Sequence, residues 1–174
     1  MRKLVFSFLV LFHFTFPLQP CFGLPAEDVQ LVTDSRYFET AQKLIRGSKE
    51  SIRVMMFEMV YYEGHSPTPS NQLIRELIEA KKRGVRVEVI LEVREGEDRA
   101  TKRNRKTGKV LSEGGVEVTY DPLSKTTHAK LLIVDQYLIL VGSTNWTFYA
   151  LTNNHEVAVL IRSKEVAKEM IDYF

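Results

Sequence analysis

Six residues suited to phosphate chemistry occur in order within the segment 128–145. They are His128, Lys130, Asp135, Gly142, Ser143 and Asn145. A neutral imidazole can attack phosphorus or accept a proton, and a lysine ammonium can hold a phosphate. Hydroxyl and amide donors stabilise the negative charge that builds on phosphoryl oxygens in a transition state. The residue types in this segment therefore indicate phosphodiester chemistry.

The spacing within the segment predicts how these side chains are arranged. In an extended chain alternate side chains share a face, so His128 and Lys130 point the same way and can reach one phosphate. Asp135 ends the next apolar run, and we assign it structural support of a tight turn or a neighbouring polar group. After the following run, Gly142 lets backbone N–H groups and the Ser143 hydroxyl approach an anion closely. An amide donor follows two residues later.

The elements that must position this segment follow an α/β pattern. Short β-branched or apolar runs alternate with longer helical periodicities, which is typical of layered α/β folds. The predicted strands are 52–59, 85–92, 116–120, 130–135, 137–141 and 156–161, and the predicted helices are 35–46, 71–83, 98–112 and 164–173. Several strands are apolar on both faces. We therefore predict one domain with a mixed, mainly parallel sheet flanked by helices on both faces.

The N-terminus has the three regions of a secretory signal peptide. Arg2 and Lys3 precede an apolar stretch at 4–16, and the segment ends near Gly23. We predict a signal peptide over 1–23, a domain over 24–174, and secretion or a periplasmic location. The alternative is a retained membrane anchor, but 13 helical residues reach only about 20 Å against a hydrocarbon core of about 30 Å.

Charge and cysteine content limit the other function classes. The chain has 24 basic and 22 acidic residues, and removal of a leader that holds two of the basic ones leaves 22 of each. Overall charge therefore gives no argument for a nucleic-acid partner, and any electrostatic attraction must be local. The single cysteine, Cys21, lies in the leader, which rules out a cysteine-based zinc site. We predict neither a metal nor a cofactor.

One local concentration of charge lies in the predicted third helix. The segment 99–109 has six basic residues and no acidic one. Its candidate nucleic-acid contacts are Lys102, Arg103, Arg105 and Lys106. A cationic surface of this kind attracts a polyanionic backbone in a salt-dependent way. The alternative is a solvated helix face whose charge is balanced by the acidic residues just before it.

The order and spacing of the segment 128–145 resemble the motif of the phospholipase D superfamily. The resemblance also includes the segment 80–87, Gly-Gly-Val at 114–116, Trp146, and Asn-His-Glu at 154–156. It covers most of the chain from about Tyr37 onward, and the chain is most similar to the small single-motif bacterial endonucleases of the superfamily. In those enzymes a glutamate downstream hydrogen-bonds the catalytic histidine, and Glu156 matches its position.

The resemblance implies a two-step, metal-independent mechanism. One histidine forms a phosphohistidine, and a second protonates the leaving group and then activates water. The chain has one such histidine, so the resemblance implies that the second His128 comes from another copy in a homodimer. By the same resemblance His128, Lys130, Asn145 and Glu156 are catalytic, with Lys130 and Asn145 on the phosphate. Ser143 assists in binding it.

Three functions remain open at this point. The first is an exported endonuclease that acts on DNA, and on RNA as a further substrate. The second is a phospholipase D or cardiolipin-type lipid phosphodiesterase, which a retained anchor would favour and which would bring the protein to a membrane. The third is a catalytically silent module that binds nucleic acid or phospholipid. The intact His128, Lys130, Asn145 and Glu156 argue against the third, because a binding protein has no need of a nucleophile.

Overall fold

The computed structural model of the chain describes residues 23–65, 67–96 and 98–174. In chain order, its elements are β1 (Asp28–Thr33), α1 (Arg36–Gly47), β2 (Ser51–Met56), α2 (Pro69–Lys82), β3 (Arg86–Leu91), α3 (Arg99–Glu113), β4 (Glu117–Tyr120), β5 (Lys130–Val134), β6 (Leu138–Gly142), α4 (Phe148–Thr152), β7 (Val157–Arg162) and α5 (Lys164–Tyr173). Residues 1–22, which hold nearly all of the predicted leader and Cys21, lie outside this description. Among the described helices, none has the length and apolar character needed to span a bilayer.

The seven strands form one sheet in the order β1-β7-β6-β5-β2-β3-β4. The predicted mixed sheet in a single domain is confirmed, but its mainly parallel character was wrong. Only β2–β3 and β3–β4 are parallel, whereas the other four pairings are antiparallel. Parallel pairs need a helical crossover, which α2 and α3 supply. In the second half of the chain β5 reverses through a tight turn into β6, whereas β2 pairs with β5 and β1 with β7 across long stretches of sequence.

Helices cover both faces of the sheet, as predicted, but unequally. The larger core lies on the face packed by α1, α2 and α3, with Tyr37, Leu77 and Leu111 fully buried. On the other face, α5 packs through Ala167 against a smaller group that includes Ile133. All five residues of β5 are buried, because this strand is central and covered on both faces. The sequence pattern failed to predict β1, an edge strand, and the five-residue helix α4.

One end of the sheet gathers the residues singled out by the sequence. Lys130 opens β5 and pairs with Met56, the last residue of β2. Gly142 closes β6 and pairs with Ala158, near the start of β7. Four segments therefore meet at this end of the sheet: those that follow β2 and β6 and those that precede β5 and β7.

Candidate active site

His128 and Lys130 are in direct contact at this end of the sheet. The Lys130 Nζ lies 3.2 Å from Nδ1 of His128 and 3.5 Å from Nε2, and it donates to the His128 carbonyl oxygen at 2.7 Å. A protonated lysine can only donate, so it bonds the ring through whichever of the two nitrogens is unprotonated in a given tautomer. The two side chains share a face, as the alternation predicted, and Ala129 packs on the opposite side. The pair thus places an imidazole beside a cation.

Burial sets the electrostatics of Lys130. Only 5% of the residue is exposed, and this desolvation lowers the pKa of its ammonium, while the nearby Glu156 carboxylate opposes the shift. A desolvated cation interacts more strongly with a phosphate than a surface lysine does, because less water screens it. His128 is itself exposed. The reactive ring is therefore open to a substrate, whereas the charge beside it lies deeper.

Glu156 directly precedes β7 at the site and is 9% exposed. Its carboxylate accepts hydrogen bonds from the Ser143 hydroxyl and from the Asn154 amide, the latter at 3.1 Å. Among the described residues these are its side-chain hydrogen bonds, and His128 is not one of its partners. Asp34 fixes the backbone at this point, since its carboxylate accepts from the Glu156 N–H at 3.0 Å. Glu156 therefore acts on the pair through its charge at Lys130.

Ser143 and Asn145 are held in different ways. Ser143 donates its hydroxyl hydrogen to Glu156 and accepts from the Val157 N–H at 3.1 Å, so it must change partner before it can donate to a phosphate. Asn145 uses its Oδ1 to accept from the Glu58 N–H at 3.2 Å. That bond leaves the Nδ2 amide to donate elsewhere. Asn145 is thus oriented for a ligand in the single chain, whereas Ser143 is engaged with the carboxylate.

Asp135 and Gly142 lie outside the reactive cluster. The Asp135 carboxylate accepts from the backbone N–H groups of Lys49, Glu50 and Ser51 at 2.8–3.1 Å, which ties the β5–β6 turn to the start of β2. The turn residues Asp135 and Gln136 have φ of 52° and 55°, as a tight hairpin turn requires. A Cβ on Gly142 would lie 2.3 Å from the Val157 carbonyl oxygen. Glycine there allows β7 to approach.

Three residues that the sequence did not single out support His128. The Phe57 ring lies 4.7 Å from the His128 ring, centroid to centroid. Glu92, 1% exposed, accepts from the Thr127 N–H at 2.6 Å, one residue before the histidine. Asn104, fully buried, donates to the carbonyl oxygens of Phe57 and Glu92 at 2.8 Å. Of the three, only Asn104 had a signal in the sequence: it is a polar residue on the buried stripe of a helix, where an apolar residue is normal.

The predicted nucleic-acid contacts all lie on α3, and at least two of them form ion pairs with acids. Arg103 donates to Glu58 at 2.8 Å, and Lys106 donates to Glu63 at 2.6 Å. Arg105 lies 5.4 Å from the centre of the Tyr120 ring. Lys102 is exposed. Arg103 is linked to the candidate site through Glu58, whose N–H donates to Asn145.

A family model described as cardiolipin synthase, PLD-like domain, matches residues 42–174. The chain belongs to the phospholipase D superfamily. This confirms the resemblance drawn from the motif. Within the described parts of the chain, no three His, Cys, Asp or Glu side chains converge as a metal-binding cluster.

Two kinds of curated protein are similar to the chain. Among curated proteins, the chain is 31% identical over 105 residues to mitochondrial cardiolipin hydrolase of Mus musculus, which covers 60% of the chain and 45% of that protein. It is 28% identical over 116 residues to phospholipase D of Rickettsia typhi, covering 66% and 53%. The chain thus spans about half the length of these relatives.

Solved structures give a match over most of the fold. Nuc from Salmonella typhimurium, a phospholipase D family member, superposes with a TM-score of 0.70 at 26% identity, covering 84% of this chain and 90% of that one. NucT from Helicobacter pylori gives a TM-score of 0.62 at 16% identity, covering 84% and 93%. The second likeness shows the fold alone. Together they confirm the predicted phospholipase D architecture.

Proposed function

We propose that this superfamily member is a metal-independent endonuclease that hydrolyses phosphodiester bonds of DNA, and of RNA as a further substrate. The observation that carries the proposal is the contact between an exposed His128 and the buried Lys130, 3.2 Å apart. The pair supplies a nucleophile and a phosphate-holding cation in one place. The 26% identity to Nuc over 84% of the chain supports the choice of nuclease.

In the proposed mechanism, a ring nitrogen of His128 attacks phosphorus and the bond to the leaving oxygen breaks. The leaving oxygen takes a proton from a second histidine. That histidine then removes a proton from water, whose oxygen attacks phosphorus and frees His128. Lys130 and the Asn145 amide hold the phosphoryl oxygens throughout. Glu156 keeps Lys130 charged by partly offsetting the cost of burying it.

We assign the second histidine to another copy of the chain. An exposed apolar surface near the site supports this assignment. Val29, Leu31 and Val157 are 59%, 71% and 57% exposed, and strand alternation places them on the same face as α5, outside the area that this helix covers. Val157 directly follows Glu156. A second copy seated on this surface would bury the apolar side chains and bring two sites together.

Two experiments test the shared site. If wild type is unfolded and reassembled with His128→Ala, activity should fall as the square of the wild-type fraction, and a linear decline would mean that each copy works alone. Leu31→Glu should yield a monomer in light scattering and lose activity together with the dimer. Leu24→Glu, at a residue 47% exposed, is the control. A dimeric, active Leu31→Glu protein would contradict the assigned surface.

The metal-independent mechanism has a direct test. Plasmid DNA, single-stranded DNA and RNA should be cleaved in excess EDTA, because the attacking group is an imidazole. A trapped phosphohistidine, labile to acid and absent from His128→Ala, is the expected intermediate. Complete loss of cleavage in EDTA that a divalent ion restores would reject the mechanism.

A lipid phosphodiesterase is the second candidate. It is favoured by the family model's description and by 31% identity to a mitochondrial cardiolipin hydrolase. The same four catalytic residues would serve it. Cardiolipin vesicles presented beside the nucleic acids decide between the two, since a lipid enzyme should release headgroup products and leave DNA intact.

Export of the protein is a further part of the proposal. Its support is the leader pattern at 1–23. Mass analysis of the protein recovered outside the cytoplasm should show cleavage after Gly23. Recovery of the uncleaved chain in the membrane fraction would favour the anchored alternative.

A further inference from the structure

A cleft of about 920 Å³ opens beside the reactive histidine. Three segments form its walls: the chain after β2, the start of α3, and the start of α4. Its lining includes Phe57, whose ring also contacts the His128 ring. The cleft is therefore continuous with the candidate active site and contains none of the residues that we assign to catalysis.

Aromatic rings form one wall. Phe148 and Tyr149 remain 39% and 68% exposed, with their ring centres 5.4 Å apart in an edge-on arrangement. The Tyr62 hydroxyl accepts from the Phe148 N–H at 3.0 Å, and this bond fixes the start of α4 against the cleft. Two adjacent aromatic residues that are exposed to solvent add little buried apolar area to the core. Their position suits a flat, apolar ligand.

Positively charged side chains also line the cleft, together with the acids Glu58 and Asp98. Arg94, Arg99 and Arg103 all line the cleft. Arg94 and Arg103 are paired with acids, whereas Arg99, on the first turn of α3, makes no ion pair within the described part of the chain. The acid that stabilises this helix N-terminus is the cap Asp98, which accepts from the Thr101 N–H at 2.8 Å, whereas a cation such as Arg99 is unfavourable there. Stability of the helix therefore does not explain this charge.

We propose that the cleft binds an unpaired base and the adjoining phosphate of the substrate strand, beside the bond that is cut. The inference rests on the proposed nuclease function. A base stacks on Tyr149 or Phe148 and the phosphate meets Arg99, which is the combination that single-stranded nucleic acids use. A base inside a duplex has both faces covered by its neighbours, so it cannot enter. The enzyme therefore prefers single-stranded segments.

Binding measurements on a protein that does not cut test the subsite. In a His128→Ala background, Tyr149→Ala should weaken binding of a labelled single-stranded oligonucleotide by about tenfold, from the loss of one stacked base. Binding of a hairpin duplex should stay the same. Tyr149→Phe should restore the affinity, because it keeps the ring. Tyr173→Ala, at an exposed tyrosine of α5 outside the cleft, is the matched control.

Cleavage of oligonucleotides with a single abasic position locates the base. Wild type should lose about tenfold in kcat/KM when the missing base lies at one fixed distance from the cut, and Tyr149→Ala should abolish that difference. Equal cleavage of all abasic substrates by wild type, or the same positional loss in Tyr149→Ala, would overturn the subsite while leaving the nuclease intact. If wild type cuts no nucleic acid but the binding differences persist, the nuclease function fails and the subsite stands. A Tyr149→Ala defect confined to cardiolipin vesicles would assign the cleft to a lipid chain and overturn the proposal.

Discussion

Replacement of Gly142 by alanine tests how closely β6 and β7 must approach beside the site. The new Cβ would lie 2.3 Å from the Val157 carbonyl oxygen, 2.5 Å from Ala158 Cα and 2.6 Å from Ala158 Cβ. Two of these atoms belong to the backbone of β7, so a side-chain rotation cannot relieve the contact. Overpacking typically costs about 1–3 kcal/mol, and we expect about 3 kcal/mol here because the strand itself must move.

The expected change in melting temperature follows from the size of the domain. At about 2–4 °C for each kcal/mol, Gly142→Ala should melt about 6–12 °C below wild type. Calorimetry at one fixed protein concentration measures this, since any association would make the melting temperature depend on concentration. Gly47→Ala is the control, because a Cβ there has no neighbour within 4 Å. It should leave stability unchanged or raise it by up to about 1 kcal/mol.

The same substitution should also affect activity. Ser143 donates its N–H to the Val157 carbonyl at 2.9 Å, so a displaced β7 disturbs the bond between Ser143 and Glu156. We expect Gly142→Ala to lose turnover even at temperatures where it is fully folded. A variant that melts within about 2 °C of wild type and retains full turnover would refute the argument.

Four further outcomes are expected. Burial lowers the pKa of Lys130, so activity should fall on the alkaline side at a pH below the ordinary lysine pKa of about 10.4. Lys130→Arg should move this alkaline limb of the activity profile to higher pH. If the limb does not move, it belongs to another group. Between the lowered pKa of Lys130 and its ordinary value, the unfolded chain binds more protons than the folded chain. The contribution of this site to stability therefore rises with pH over that range, which urea titrations at several pH values can measure. Asp135→Asn should lower the free energy of unfolding by about 1–3 kcal/mol in urea, since a neutral amide replaces a carboxylate bonded to three N–H groups. Glu92→Leu should lower kcat about 10- to 100-fold, because leucine cannot accept from the Thr127 N–H, and an unchanged kcat would deny Glu92 a positioning role.

The sequence predicted the reactive pair because its information is local. His128 and Lys130 are two residues apart on a strand, so alternation alone brings them together. The mixed character of the sheet and the helix on each face were also within reach, since both follow from alternating apolar runs. The resemblance of the motif to the phospholipase D superfamily extended that prediction to the whole architecture.

Contacts between distant segments could not be predicted in this way. Asn104 reaches Phe57 across 47 positions, and Glu92 holds Thr127 across 35. The sequence around Asn104 and Glu92 does not indicate which distant residue each side chain contacts. The strand directions were predicted wrongly for a similar reason. β2 lies between β3, which follows it through a helix, and β5, which comes from a distant part of the chain. The edge strand β1 has three exposed residues in a row and lacked a clear apolar signal.

The pairing of β2 with β5 has a consequence for how the chain folds. Met56 pairs with Lys130 and Ile52 with Val134, so the centre of the sheet joins residues more than seventy positions apart. Closing a loop of that size opposes early pairing, and contacts of high sequence separation slow folding. The unit β2–α2–β3 can form first, but one edge of β2 then stays unpaired and open to other strands. A fragment that ends before Lys130 would keep that edge exposed, and we expect it to aggregate rather than fold.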